Sequence, residues 1–161
     1  MEVIFFAGGC LWGVQEFIRY LPGVIKTQAG RANGITDHTL SDYDGYAECV
    51  LTQFNPDLVT VEQLIDYFFE IIDPYSKDKQ DKDIGKKYRT GIYSRNPQHL
   101  KIAQSYLQSR KDASLIRVEV LPLSNYVKSD PHHQDRLTLH PEDYCHIPKD
   151  ILYKYRDLNR Q

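Results

Sequence analysis

The chain has 161 residues, 41% hydrophobic and 26% charged, with a formal net charge of −2. That balance fits one globular domain, residues 1–161, with a sizeable core, and excludes an intrinsically disordered chain. The near-neutral charge gives no global reason to expect nucleic acid or an anionic membrane, and no apolar run approaches the roughly 20 residues of a membrane span. The N-terminal stretch MEVIFFAGGC has neither a basic start nor a long apolar segment, so it does not read as a signal peptide. A cytoplasmic protein is the expectation. Three cysteines, at 10, 49 and 145, suit that compartment, since an odd number at wide spacing is no disulfide framework.

Residues 3–7 form a short apolar run that predicts a buried strand, which Gly8 and Gly9 break. Residues 13–20 predict a helix with Val14, Phe17 and Leu21 on one face, ended by Leu21-Pro22-Gly23. Residues 24–29 read as a second strand and 30–38 as a polar loop. The alternation of 46–54 predicts a strand with Ala47, Cys49 and Leu51 on one face and Tyr46, Glu48 and Val50 on the other. Thr60 with Gln63 resembles a capping box opening a helix that turns Leu64, Phe68, Ile71 and Ile72 inward. Residues 75–87 are a charged loop, and 89–94 a strand. Asn96-Pro97 reads as the start of a helix, and 116–121 as the final strand. Beyond Pro122 no periodicity appears. The order β-α-β-β-α-β predicts an α+β fold, a ferredoxin-like split βαβ two-layer sandwich with an irregular C-terminal tail.

Cys10 sits where a Gly-Gly turn feeds a helix. Backbone N–H groups and the positive end of the helix dipole favour a thiolate there, and Leu11 and Trp12 offer an apolar wall. The plainer reading is a buried structural cysteine, since free cysteine often acts as a small hydrophobe.

GGCLWG resembles the GCFWG signature of the peptide methionine sulfoxide reductase A family. The similarity continues in order through VIKTQAGRANG, DGYAECV, DKDIGKKYRTGIY, DPHHQ followed by Leu137, and EDYC, from residue 4 to about 146. The resemblance implies a thiol-dependent enzyme that reduces methionine S-sulfoxide, free or in proteins, and so repairs oxidative damage. It implies that Cys10 attacks the sulfoxide sulfur and that Glu48 is the acid that protonates the oxygen. Tyr88 would donate a hydrogen bond to that oxygen. Asp83, Trp12 and Tyr144 would line the site. Cys145 would resolve the resulting sulfenic acid as a disulfide, which thioredoxin or a similar dithiol reduces. Cys49, on the strand face opposite Glu48, reads as core. No metal or organic cofactor is implied, and a monomer is expected.

Two cavity positions depart from the family pattern. Leu11 replaces Phe, half of an aromatic clamp. Arg31 replaces Tyr, a hydroxyl donor to the sulfoxide. Tyr46 also replaces the usual His. A catalytically weak or inactive member that only binds sulfoxides therefore stays open. So does a metal-binding module built on His132, His133, His140, Cys145 and His146, although their spacing matches no structural zinc pattern.

Overall fold

The structure is a computed structural model describing residues 1–40 and 42–159. β1 (Glu2–Gly8) leads into α1 (Leu11–Ile18), then β2 (Val24–Ala32) and β3 (Ala47–Phe54). α2 (Val61–Phe69) starts on the capping box: Gln63 N–H donates to Thr60 Oγ1 at 3.1 Å, and Thr60 N–H to Gln63 Oε1 at 2.9 Å. The charged stretch expected to be plain loop contains a small hairpin, β4 (Lys79–Gln80) and β5 (Asp83–Ile84), and a 3-10 turn at Lys86–Tyr88. β6 (Thr90–Ser94) and α3 (Pro97–Gln108) follow, with Asn96 Oδ1 accepting from Gln98 N–H at 3.0 Å as the N-cap. The remaining elements are β7 (Glu119–Pro122), β8 (Tyr126–Lys128), α4 (Arg136–Leu139), α5 (Lys149–Leu152) and α6 (Lys154–Leu158). No helix among the described residues is long and apolar enough to cross a membrane.

The architecture is mixed α/β, one six-stranded sheet in the order β7-β6-β1-β3-β2-β8 beside the small β4-β5 pair. β7 runs parallel to β6 and every other pairing is antiparallel. β2 is longer than its hydrophobic pattern suggests. It continues through Arg31 because β3 pairs it on one side, Ala32 opposite Ala47, while β8 pairs it on the other, Gly30 opposite Lys128. β8 also means that the strand near 116–121 is not the last.

One face of the sheet carries Ile4, Phe6, Val50 and Ile92 into a large core with Val14, Phe17, Leu64 and Phe68 from the helices. The other face is not left to water. Phe5, Ala7, Cys49 and Tyr93 form a second, smaller core. Phe5 and Tyr126 meet there with ring centroids 5.0 Å apart, although β1 and β8 are three strand spacings apart, about 14 Å in a flat sheet. The sheet must therefore curl. Gly30 permits it, since a Cβ there would lie 2.3 Å from the Tyr126 ring.

The tail expected to be irregular carries three short helices and packs against the rest of the fold. Leu137, Ile147 and Leu152 are buried in the large core. Polar clips hold the segment at long sequence range. Gln134 Oε1 accepts from Ala29 N–H at 2.9 Å while its Nε2 donates to Ala29 O at 2.9 Å, copying a strand neighbour for β2. Buried Gln15 accepts from Asp135 N–H at 3.0 Å, and buried Glu16 accepts from Thr138 Oγ1 at 2.7 Å and the Tyr153 hydroxyl at 3.0 Å. Burying Gln15 and Glu16 without those partners would cost about 1–3 kcal/mol each, so helix and tail order together.

Candidate active site

β1 ends at Gly8, and Gly9 turns the chain with φ +92 into Cys10, the N-cap of α1. Only glycine suits that turn. Besides the positive φ, a Cβ would lie 2.7 Å from Gln80 Cβ. Gln80 is buried and bonded to Asp73 N–H and to the carbonyls of Asp73 and Lys79, so the β4-β5 hairpin packs firmly against the turn.

Cys10 opens on a cavity of about 320 Å3. Leu11, Trp12, Arg31, Glu48, Asp83, Tyr88 and Tyr144, all singled out from the sequence, line it with Cys10. Leu11 is otherwise core, 3% exposed. Trp12 is fixed at its edge, where Nε1–H donates to His133 Nδ1 at 3.0 Å, and on its face, where the Arg136 guanidinium lies 5.0 Å from the ring. Tyr144 donates to Asp81 Oδ2 at 3.1 Å. Asp83 Oδ2 is buried without a hydrogen bond among the described residues, 3.6 Å from the equally buried and unpartnered Nδ1 of His146.

Cys145 does not line the cavity but lies beside it. A Cβ on Gly13 would come 2.5 Å from Cys145 Sγ. Gly13 is three residues beyond Cys10, hence on the same side of α1, so the missing side chain seats this sulfur one helical turn from the first. Cys49 is 1% exposed within the second core, on the sheet face away from Glu48. All three thiols are free.

Sequence reasoning did not assign Lys87, Ser129 and His133 to the cavity, and it noted Tyr46 only as a departure. His133 lay within the DPHHQ segment, a signal that could have been used. Ser129 had none. Among the described residues no group of three or more His, Cys, Asp or Glu side chains is placed to hold a metal ion.

The electrostatics differ from the helix-dipole expectation. Burial, followed by the Glu48 charge, pushes the Cys10 thiol up to about 12, outweighing the Trp12 backbone N–H that pulls it down. The resting residue is a thiol, not a thiolate. Glu48 Oε2 accepts from Leu11 N–H at 3.3 Å, so the carboxyl occupies the anion position at the start of α1. Burial raises Glu48 from 4.5 to about 7, against the pull of the Leu11 N–H, Lys87 and Arg31. Tyr88 is pushed up to about 12, first by burial and then by the Glu48 charge, and stays a neutral donor. Burial lowers His133, which stays a neutral acceptor for Trp12.

The Glu48 shift has a stability consequence. The native state holds its proton up to about pH 7, whereas an unfolded glutamate releases it near 4.5. Between those values the native state binds more protons, so stability falls as pH rises. Glu48→Gln removes this loss. From pH 5 to pH 8 the variant should gain about 2–3 kcal/mol relative to the parent in urea unfolding. Parallel profiles would show that the carboxyl titrates normally.

The geometry unites a half-buried thiol, a carboxyl that holds a proton near neutrality, a neutral phenol and an apolar indole wall, with a second thiol one turn away. The family model of peptide methionine sulfoxide reductase matches residues 2–159. Peptide methionine sulfoxide reductase MsrA of Clostridium acetobutylicum is 37% identical over 96% of this chain and 100% of its own length. MsrA of Clostridium perfringens is 40% identical over 93% and 100%. Methionine sulfoxide reductase A of Corynebacterium diphtheriae superposes with a TM-score of 0.83 at 28% identity, covering 92% of this chain and 83% of that one. Mxr1 from Saccharomyces cerevisiae in reduced form gives 0.83 at 25%, covering 89% and 88%. This chain belongs to the peptide methionine sulfoxide reductase family.

Proposed function

We propose that this chain reduces methionine S-sulfoxide, free or in proteins, to methionine through a sulfenic acid on Cys10 and a disulfide with Cys145. One observation carries the reading: a carboxyl that keeps its proton to about pH 7 shares a cavity and a helix terminus with a half-buried thiol. Sulfoxide oxygen leaves only once protonated, so nucleophile and proton must arrive together. The proton balance closes within the pair. Glu48 gives its proton to the oxygen, and the proton lost by Cys10 restores it. The Cys10 thiol and the sulfoxide become a Cys10 sulfenic acid and a thioether. Carbon substituents stay on the sulfur that is reduced, and the thiol sulfur is oxidised.

Tyr88 stabilises the oxygen as it gathers charge, Trp12 walls the methyl group, and Leu11, Arg31, Asp83 and Tyr144 complete the substrate site. Cys145 then displaces hydroxide from the Cys10 sulfenic acid, giving the disulfide and water. Thioredoxin or a similar dithiol reduces that disulfide by exchange. Burial of Cys49 in the second core supports Cys145 as the partner. The scaffold is read as one ferredoxin-like split βαβ domain, a two-layer sandwich. The central strand order β6-β1-β3-β2 supports this, with β7 and β8 as additions at the edges. The chain is taken to act as a monomer in the cytoplasm, since one copy supplies the whole cavity.

The test is turnover of methionine S-sulfoxide with a dithiol donor. The parent should form methionine repeatedly, and without donor it should lose two hydrogens in intact mass. Cys145→Ser should yield about one methionine per chain, gain one oxygen in intact mass instead of losing two hydrogens, stall with thioredoxin and leave a trappable sulfenic acid on Cys10. No methionine from the parent would refute the activity. A stall in Cys49→Ser instead would reassign the resolving thiol.

A further inference from the structure

Arg31 and Tyr46, two of the positions where this chain departs from the family pattern, touch each other. Arg31 is the register partner of Glu48 across β2 and β3, on the same face. Opposite charges so placed would ordinarily pair. They do not. Glu48 turns to the Leu11 N–H, and the Arg31 guanidinium lies 4.5 Å from the centroid of the Tyr46 ring, with no hydrogen bond or ion pair among the described residues. The Tyr46 ring is also met by Tyr43, at 4.9 Å between centroids and 63° between planes. Its backbone is pinned as well, for the Tyr46 carbonyl accepts from the Tyr43 hydroxyl at 2.7 Å and from Arg89 Nη1 at 3.2 Å. Four contacts from three residues thus fix a half-buried phenol whose hydroxyl has no partner among the described residues. It lines the cavity with Cys10, Glu48 and Tyr88.

A phenol whose ring is held at the cavity wall, and whose hydroxyl has no protein partner among the described residues, can offer that hydroxyl to a bound ligand. We propose that Tyr46 is a catalytic residue, a second hydrogen-bond donor to the sulfoxide oxygen beside Tyr88, and that Arg31 is the positioning residue that holds its ring. The proposal rests on the sulfoxide reductase reading above. Tyr46 keeps its proton throughout and only donates a hydrogen bond, while Glu48 supplies the proton that the oxygen takes. Burial raises the Tyr46 hydroxyl above its usual range, so it remains a donor across the working pH. The donor that a tyrosine at position 31 would provide is thereby delivered from position 46, and the two departures act as one unit.

Single-turnover kinetics test this. Tyr46→Phe keeps the ring and its stacking but removes the hydroxyl. It should slow methionine formation about 10–100-fold, with KM changed less than about 3-fold, as for a donor used mainly in the transition state. Arg31→Gln should cost about 3–10-fold alone and clearly less on top of Tyr46→Phe, because part of its effect passes through that hydroxyl. Tyr46→Phe combined with Arg31→Tyr should recover part of the loss. A parental rate in Tyr46→Phe, or a loss confined to KM, overturns the proposal. So do fully additive losses in the double variant. Urea midpoints check the fold. Should Tyr46→Phe not fold, an unchanged rate in Arg31→Gln overturns the proposal by itself. Absence of methionine from the parent would instead strike the functional reading on which it depends.

Discussion

Cys10→Ser is expected to form no methionine, in single or multiple turnover. A serine hydroxyl is neutral at every working pH and a far weaker nucleophile towards sulfur, and it cannot carry the oxygen as a sulfenic acid. Failure to fold would not explain the loss. Cys10 is the N-cap of α1 yet makes no side-chain cap hydrogen bond. Serine is among the preferred N-caps, so the variant should match or exceed the parent by up to about 1 kcal/mol. Methionine released from methionine S-sulfoxide is the activity measurement, and thermal unfolding is its control. Any turnover from a folded Cys10→Ser protein would take Cys10 out of the chemistry.

Glu48→Gln should divide two reactivities that normally travel together. The amide oxygen can still accept from Leu11 N–H, so the helix terminus is undisturbed, but the proton needed by the sulfoxide oxygen is gone. A positioned general acid contributes about 10²–10⁴-fold, and a loss of that size in the chemical step is expected. The same change removes a negative charge that raises the Cys10 thiol. Alkylation of Cys10 by iodoacetamide above pH 7 should therefore become faster while sulfoxide reduction becomes slower. Movement of both rates in the same direction would point to a displaced thiol rather than a missing proton.

The parts of this molecule that read well from sequence are governed by local rules. Thr60 with Gln63 and Asn96 with Pro97 start helices where they predict them, because a cap is satisfied within three residues. Period-2 alternation separates Glu48 from Cys49, because a strand has only two faces. The tail fails the same approach. α4, α5 and α6 are four or five residues long, too short for periodicity, and they are fixed by Gln15, Glu16 and Gln134 across more than a hundred residues. The second core is hidden for a similar reason. Curling of the sheet depends on Gly30 leaving room for Tyr126, a relation between distant positions. At Cys10 the helix terminus was legible, but the burial and the neighbouring carboxyl that outweigh it were not. Tyr46 was visible only as an oddity until its contact with Arg31 gave it a place.

The high resting pKa of Cys10 also bears on how such a protein survives the conditions that create its work. Hydrogen peroxide reacts with thiolates, and burial holds the Cys10 thiol well above its usual range, so little of it is ionised near neutral pH. An ordinary exposed cysteine offers a few per cent. Peroxide in the surroundings therefore finds almost nothing to oxidise, and the slide from sulfenic to the irreversible sulfinic and sulfonic acids has no easy entry. In the proposed mechanism a bound sulfoxide would differ, because it would take up a proton from Glu48 as Cys10 gives one up, so that nucleophilicity would arise in its presence. The burial that makes Cys10 look inert is thus a form of selectivity between two oxidants, the damaged side chain and the agent that damaged it.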